Sequence, residues 1–217
     1  MDKNLAKSRN SLFRSLWRNV RSESVIRAME QVPRERFVPA ESRHMAYMDQ
    51  PLSIGEGQTI SQPYMVALMA VALGLSGWER VLEVGTGSGY QAAILSLLVP
   101  RGRVVSVELV PVLAVRARGI LAELGYNNVE VREAGPTMGC PSRAPFDAIV
   151  VAAASPRLPE SLVSQLAPGG RLVIPVGPLE QQYLVKALRT DEGLSVSMLG
   201  PCRFVPLIGR EAFPEPH

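Results

Sequence analysis

Three alternating glycines behind an acidic residue stand in the stretch Val81-Leu-Glu-Val-Gly-Thr-Gly-Ser-Gly-Tyr90. Glycine suits positions where the backbone turns sharply or lies directly against a ligand. An apolar run precedes the glycines and a helical pattern follows them, which is the order strand, tight turn, helix. A second apolar run, 103–107, ends in Glu108, and an acid at that distance suits the two hydroxyl groups of a ribose. These residues predict an adenosine-containing cofactor at the edge of a parallel sheet.

The spacing of the glycines distinguishes between cofactors. The dinucleotide pattern has one more residue before its third glycine, so that a pyrophosphate can sit on the helix N-terminus. Glu83 would repel a pyrophosphate but could pair with an amino-acid ammonium group, and Glu-x-Gly-x-Gly-x-Gly resembles the loop of S-adenosylmethionine (SAM) methyltransferases. The alternative is an ordinary glycine-rich turn with an acid at the strand end. We predict SAM, held by Glu83, Gly85, Thr86, Gly87, Ser88, Gly89 and Glu108.

The elements around this loop alternate between strand and helix patterns, which indicates an α/β fold with a doubly wound, mostly parallel, Rossmann-like sheet. An N-terminal helical region covers about 3–32, and an irregular stretch runs from Pro33 to Ser61. Antiparallel strands are expected near the C-terminus. The predicted helices lie at 62–73, 90–98, 111–124 and 159–166, and the predicted strands at 80–84, 103–107, 128–132, 146–151, 171–176, 183–189, 194–199 and 204–207.

Length and composition set the limits of the molecule. The chain has 217 residues, which fits one domain: residues 1–60 as a helical and loop region and 61–217 as the cofactor-binding core. No apolar run approaches the roughly 18 residues needed to cross a bilayer. The first residues do not read as a signal peptide. Two cysteines without metal-ligand neighbours indicate a reduced, cytoplasmic setting and no metal.

The N-terminal segment is basic and amphipathic, and it contributes much of the net charge of +3. Its arginines interleave with Leu12, Phe13, Leu16 and Trp17. Such a helix could meet nucleic acid or an anionic membrane. More often the apolar stripe packs on its own domain while the arginines stay in solvent. We favour the second interpretation, and we expect neither a nucleic-acid nor a membrane partner.

Several longer motifs resemble the protein-L-isoaspartate O-methyltransferase family. The resemblance runs from about residue 24 to 210, with the motifs in the family's order, and Gly-Gln-Thr-Ile-Ser-Gln-Pro is more diagnostic than the glycine loop. The motifs are Val32-Pro-Arg-Glu-Arg-Phe-Val-Pro39, Ala46-Tyr-Met-Asp49, Leu52-Ser-Ile-Gly-Glu-Gly-Gln-Thr-Ile-Ser-Gln-Pro-Tyr-Met-Val66, Ala144-Pro-Phe-Asp-Ala-Ile-Val150, Gly169-Gly-Arg-Leu-Val-Ile-Pro-Val-Gly177 and Phe204-Val-Pro-Leu-Ile-Gly209.

The resemblance implies a repair reaction. Members of the family use SAM to methylate the free α-carboxylate of L-isoaspartyl residues in damaged proteins and peptides, and S-adenosylhomocysteine (SAH) is the second product. The ester then closes to a succinimide that can hydrolyse to normal aspartate. A cytoplasmic monomer without a metal is also implied.

Ser61 is the residue that the resemblance places at the reacting end, over the SAM methyl group and the substrate carboxylate. Gln58 and Thr59 are the flanking substrate-binding candidates, and Ile60 and Gly135 join the predicted cofactor contacts. From spacing alone, Ser61 before Gln62-Pro63 also reads as the N-cap of a helix. The two roles are compatible.

One departure from the family bears on function. The family usually carries Gly-Asp-Gly after the third strand, with an aspartate expected to meet the adenine amino group, whereas this chain has Ala134-Gly135-Pro136. Glu133 is a possible substitute. Three functions therefore remain open: isoaspartyl repair, a methyltransferase retargeted to another carboxylate such as a dedicated peptide, and a binding module with weak or no turnover. Repair is the leading hypothesis.

Overall fold

A computed structural model describes residues 3–214, so the two N-terminal and three C-terminal residues of the predicted domain lie outside the described part. Its α-helices are α1 (Lys3–Asn19), α2 (Glu23–Gln31), α3 (Pro63–Leu73), α4 (Tyr90–Leu98), α5 (Pro111–Glu123) and α6 (Glu160–Ser164). Its strands are β1 (Leu52–Gly55), β2 (Gln58–Ile60), β3 (Arg80–Val84), β4 (Arg103–Glu108), β5 (Val129–Glu133), β6 (Phe146–Val151), β7 (Leu166–Val176), β8 (Gln182–Thr190) and β9 (Gly193–Cys202).

The main sheet has seven strands in the order β5-β4-β3-β6-β7-β8-β9. The first five strands in this order pair in parallel, and β8 and β9 pair antiparallel. Chain order runs outward from β3 to β5 on one side and from β6 to β9 on the other. This is the doubly wound arrangement with antiparallel C-terminal strands that the sequence predicts.

The N-terminal helices pack on the core, as the favoured interpretation of the basic segment requires. Leu12, Phe13 and Leu16 of α1 are buried, and they join the apolar cluster that contains Tyr90 and Ile94 of α4. Ser22 caps α2 by accepting a hydrogen bond from the Val25 amide. The apolar stripe of α1 is therefore used inside the molecule.

Two segments differ from their predictions. The stretch predicted as irregular contains a hairpin, in which β1 and β2 pair antiparallel and Leu52 faces Ile60. The three turn residues Gly55, Glu56 and Gly57 all have positive φ. Glycines at such positions are typical of a hairpin turn, but in a Pro- and Gly-containing stretch they were interpreted as part of an irregular segment. Conversely, 204–207 forms no strand, because it contributes only an isolated bridge from Pro206 to Ala154.

Within residues 3–214, no helix is both long and apolar enough to cross a membrane. Cys140 is buried and Cys202 half-buried, and both are free thiols. In this part of the chain no group of three or more acidic, histidine or cysteine side chains could hold a metal ion.

Candidate functional site

A cavity of about 300 Å³ opens at the carboxyl ends of the parallel strands. It lies where chain order reverses, because β3 is flanked by β4 on one side and β6 on the other. Ligands of open α/β sheets bind at this kind of switch point. Three segments already named by their motifs contribute to its lining, namely Gln58–Ser61, the glycine loop after β3 and the segment after Phe204.

The glycine loop gives the cavity a floor of bare backbone. Gly85 has φ of 92° and Gly87 has φ of 52°, in the region that favours glycine. The Gly85 and Thr86 amides donate to the Val107 carbonyl at 2.9 and 3.2 Å, which ties the loop to the end of β4. Gly85, Thr86, Gly87 and Ser88 all line the cavity. Gly89 does not line it, and is instead the N-cap of α4, where it packs against Ala117 and Leu121 of α5.

Glu108 lines the cavity, and two backbone amides fix the position of its carboxylate. The Gly87 amide donates to Oε2 at 2.7 Å and the Val110 amide to Oε1 at 2.9 Å. Each carboxylate oxygen can accept more than one hydrogen bond, so capacity remains for a ligand diol. This geometry agrees with the ribose role predicted for Glu108.

Gln91 adds a donor that sequence reasoning did not single out. Its side chain lines the cavity, and Nε2 is buried without a hydrogen-bond partner among the residues that the structure describes. A buried donor left unpaired costs free energy unless a ligand or water completes it. The same side chain lies close enough to the buried Glu83 carboxyl to oppose the rise of its pKa, so Gln91 connects the cavity to the residue behind the glycine loop.

Glu83 does not line the cavity, so the direct ammonium contact predicted for it is not supported by the structure. Its carboxyl group is fully buried, because Glu83 faces Ser106 across the β3–β4 pair and accepts a hydrogen bond from the Ser106 hydroxyl. The Ser106 and Thr86 hydroxyls are hydrogen-bonded in turn. Burial raises the pKa of Glu83 to about 8, against the opposing effect of the Ser106 bond. Through Ser106, Glu83 is connected to Thr86 and so stabilises the glycine loop.

Ser61 lines the cavity with its hydroxyl not used in helix capping. The prediction that Ser61 is the N-cap of α3 is wrong, because the N-cap residue is Gln62. The Gln62 side chain makes no capping hydrogen bond to the helix. Asp49, from a separate loop, caps the first turn of α3 instead. Its Oδ1 accepts a hydrogen bond from the Tyr64 amide at 2.9 Å, and its Oδ2 accepts one from the Gln62 side chain at 3.1 Å. Gln58, Thr59 and Ile60 line the same cavity.

Arg34 lies behind Ser61 and was not identified as a site residue from the sequence. Its side chain is fully buried, and Nη2 donates to the Ser61 carbonyl at 2.8 Å. Its Nε donates to the Ala46 carbonyl at 2.8 Å, and the guanidinium carbon lies 4.6 Å from the centre of the Tyr90 ring. Its position in the motif Val32–Pro39 is the feature of the sequence that could have identified Arg34 as a candidate.

The loop that departs from the family pattern borders the cavity. Ala134, Gly135 and Pro136 line it, together with Met138 and the apolar residues Leu109 and Val110. Glu133 is exposed and does not line the cavity, so the structure does not bring the suggested substitute to the site. The predicted adenine side is therefore apolar, without a carboxylate from this loop.

The segment after Phe204 also lines the cavity. The Ala154 amide donates to the Val205 carbonyl at 2.8 Å, and the Leu207 amide donates to the Ala154 carbonyl at 2.7 Å. These bonds dock Val205–Leu207 on the end of β6. The segment was recognised as a motif, but no residue of it was predicted to line the site.

The cavity fits SAM. It combines a glycine loop that exposes backbone, a carboxylate fixed for a ribose and an apolar side for adenine. With the doubly wound sheet, these features define a Rossmann-like methyltransferase.

Comparison with known proteins identifies the family. The chain matches the protein-L-isoaspartate(D-aspartate) O-methyltransferase (PCMT) family over residues 7–212, and it belongs to that family. Protein-L-isoaspartate O-methyltransferase 1 of Rhodopseudomonas palustris (strain HaA2) is 52% identical over 205 residues, which cover 92% of this chain and 83% of the relative.

Solved structures agree. A protein-L-isoaspartate O-methyltransferase structure has a TM-score of 0.84 and 31% identity, covering 94% of this chain and 67% of that chain. A Plasmodium falciparum protein of the same description, in complex with SAH, has a TM-score of 0.80 and 26% identity, covering 91% of this chain and 96% of that chain. The fold and the family that the motifs predict are confirmed.

Proposed function

We propose that this protein transfers the methyl group of SAM to the free α-carboxylate of L-isoaspartyl residues in damaged proteins and peptides, and thereby starts their repair through a succinimide. One observation carries the proposal. Ser61 lines the same cavity as the glycine loop and Glu108, and Asp49 rather than Ser61 caps the helix that follows. A polar group is thus left to meet a substrate beside the cofactor site.

The cofactor contacts in this proposal follow the cavity lining. Glu108 would accept hydrogen bonds from the ribose hydroxyls, and Gly85, Thr86, Gly87 and Ser88, which line the cavity, would hold the rest of SAM. Gly135 borders the adenine side, and Ile60 closes the cavity from β2. When bound, SAM supplies an activated methyl group on a sulfonium, which a carboxylate oxygen can attack.

The protein's own contribution is alignment and exclusion of water. A carboxylate with an ordinary pKa near 4 is already ionised at neutral pH, so no side chain has to remove a proton. The Ser61 hydroxyl would donate to one carboxylate oxygen and so orient the substrate for attack by the other. Gln58 and Thr59 would flank the substrate, and β2 and the segment after Phe204 line the site. Positioning of this kind accounts for a large part of many enzymatic rate enhancements.

The first test is transfer of labelled methyl from SAM to matched peptides that contain isoaspartate or aspartate. We expect base-labile label on the isoaspartyl peptide alone. Ser61→Ala should lower kcat/KM about 10- to 100-fold, because a hydrogen bond to an ionised group is lost. Ser53→Ala is the matched control, since Ser53 is exposed on the same hairpin and does not line the cavity.

Other outcomes would identify the alternatives. Equal labelling of both peptides, or label only on a different carboxylate, would indicate a retargeted methyltransferase. Absence of transfer at saturating SAM would indicate a binding module, which the missing carboxylate at Gly135 favours.

Three further expectations stay predictions. The chain is proposed to act as one domain, since residues of α1 and α4 share one apolar cluster. A cytoplasmic location is supported by the two free thiols. The monomeric state, and the absence of nucleic-acid and membrane partners, rest on the family resemblance and on the packing of α1.

A further inference from the structure

Arg34 is a buried cation without an ion pair. Its side chain is 0% exposed, and no carboxylate of residues 3–214 lies within 4.0 Å of its nitrogens. Its Nη1 atom has no hydrogen-bond partner in the same part of the chain. Burying a charge without a counter-charge is costly, so the position calls for a compensating anion.

The contacts of Arg34 converge on the Ser61 side of the cavity. Nη2 holds the Ser61 carbonyl, Nε holds the Ala46 carbonyl, and the guanidinium rests on the Tyr90 ring. Ser61 and Tyr90 both line the cavity, whereas Arg34 does not. The positive charge therefore contacts two residues that line the cavity without lining the cavity itself.

Tyr90 is the side chain that most favours the ionised form of Arg34. Asp49 is the carboxylate that favours it most, but its oxygens are engaged elsewhere. Its two oxygens accept from the Tyr64 amide and the Gln62 side chain. Burial lowers the pKa of Arg34, but arginine starts so high that it stays charged at neutral pH. The field of Arg34 at the cavity is thus a permanent feature of the site.

We propose that Arg34 is a positioning residue for the substrate carboxylate: it fixes the Ser61 backbone, and its charge behind Ser61 selects an anionic group at the reacting position. The inference rests on the proposed function, which it deepens. The compensating anion is the α-carboxylate of the isoaspartyl residue, held by the Ser61 hydroxyl. Arg34 is not expected to affect SAM, whose contacts lie on the glycine loop and Glu108.

The test separates charge from geometry with two variants. Arg34→Gln removes the charge, while Arg34→Lys keeps it but cannot bond both carbonyls and stack on Tyr90 in the same way. Each protein, saturated with SAH, is titrated calorimetrically with two peptides that differ only in the isoaspartyl α-carboxylate or its neutral α-carboxamide. This readout needs no turnover.

The wild type should prefer the carboxylate peptide, and Arg34→Gln should reduce that preference about 10-fold or more. Arg34→Lys should retain most of the preference while kcat falls about 10- to 100-fold. SAH affinity should change less than about threefold in both. Arg171→Lys is the matched control, because Arg171 also holds backbone carbonyls but does not line the cavity. It should lower the melting temperature and leave the preference unchanged.

An unchanged preference in Arg34→Gln would overturn the proposal, as would a parallel loss of SAH affinity, which would show a merely structural role. If Arg34→Gln does not fold, Arg34→Lys decides, because an unchanged kcat would contradict the positioning role. A wild type that discriminates between the peptides but transfers no methyl would refute the proposed function while supporting the anion-selecting role of Arg34.

Discussion

At the scale of single residues, the site separates groups that face the ligand from groups that hold them. Ser61, Gln91 and Glu108 line the cavity, whereas Glu83 and Arg34 are buried behind it. A substitution in the first set should change binding or turnover directly. A substitution in the second set should also change folding stability, because it alters a buried polar group.

Gly135→Asp should restore the carboxylate that the family usually places near the adenine amino group. A Cβ atom at Gly135 meets nothing within 4 Å, so the backbone can accept the side chain. One hydrogen bond to a charged group corresponds to about 1.5–3 kcal/mol, or roughly 10- to 150-fold in SAH affinity. Calorimetric titration with SAH measures this gain. Gly119→Asp, in an open position on α5 away from the cavity, is the matched control.

An SAH affinity in Gly135→Asp equal to that of the wild type would contradict the assignment of this loop to adenine.

Glu83→Gln should change how stability depends on pH. The folded pKa of Glu83 is about 8 against an ordinary value of 4.5. Because the folded state keeps this proton longer than the unfolded state, stability falls as pH rises from about 4.5 to 8 and levels off above that range. One such group contributes a slope of up to about 1.4 kcal/mol per pH unit.

Denaturant unfolding between pH 5 and 8 measures that slope. Removal of the carboxyl group should make the variant's curve flatter than that of the wild type, with Glu133→Gln as the exposed control. Identical slopes for wild type and Glu83→Gln would show that Glu83 is ionised in the folded protein at neutral pH.

At the scale of elements, α3 and the loop before it form the link between fold and site. Ser61 is kept in place by Arg34 on its carbonyl and by Asp49, which bonds the first turn of α3 and the Gln62 side chain. The order of the segments along the chain does not show this link, because Asp49 reaches across 15 residues to Tyr64.

Asp49→Ala should weaken both the start of α3 and the alignment of Ser61. Loss of an acidic cap costs about 1 kcal/mol. We expect a comparable fall in unfolding free energy together with a several-fold fall in kcat for isoaspartyl peptides, and little change in SAH affinity. Steady-state kinetics and denaturant melts measure the two effects. Glu56→Ala, at the exposed tip of the hairpin, is the control. A fall in stability with kcat unchanged would separate the cap from catalysis.

The sequence was sufficient for elements that carry their own local signal. The alternation of apolar runs with helical patterns predicted the fold, and the family assignment is confirmed. The glycine loop and Ser61 line the cavity, and their roles toward SAM and substrate stay predictions. What the sequence did not reveal depends on contacts between distant segments. The cap on α3 comes from Asp49, the cation behind Ser61 from Arg34, and the far wall from Val205–Leu207.

Glu83 shows the same limit in another form. Its position before the glycines matches a ligand-binding pattern, but the side chain points across the sheet toward Ser106 and is covered completely. The direction of the Glu83 side chain depends on which strand lies beside β3. The motif alone could not predict it, because the motif carries no information about strand order.

At the scale of the whole molecule, the sheet separates stability from function. The cavity opens at the carboxyl ends of the strands, and a polar cluster fastens the opposite ends. In that cluster Glu79 accepts from the Ser76 and Gly77 amides at 2.7 and 2.9 Å, and it pairs with Arg171 at 3.2 Å. Arg171 also bonds the Gly74 carbonyl after α3, which ties helix, β3 and β7 together.

This cluster should govern acid stability. Burial opposes ionisation of Glu79, but the hydrogen bonds from Ser76 and neighbouring amides outweigh it and lower the pKa to about 2 from 4.5. Its contribution of about 3 kcal/mol is therefore complete above pH 4.5 and disappears as pH falls toward 2. Glu79→Gln should destabilise the protein by about that amount at pH 7 and by much less near pH 2.5. Urea melts at both pH values, with Glu180→Gln as a surface control, check this difference. An equal loss at both pH values would contradict the lowered pKa.

The most direct test of the account is repair itself. An isoaspartyl peptide is incubated with a catalytic amount of the protein and SAM, and the isoaspartyl and aspartyl forms are separated by chromatography over time. The account predicts that the aspartyl peptide accumulates only when SAM is present, and far more slowly with Ser61→Ala. If the isoaspartyl peptide is unchanged at saturating SAM, or if SAM is consumed without any aspartyl product, the assignment of this site to isoaspartyl repair is contradicted.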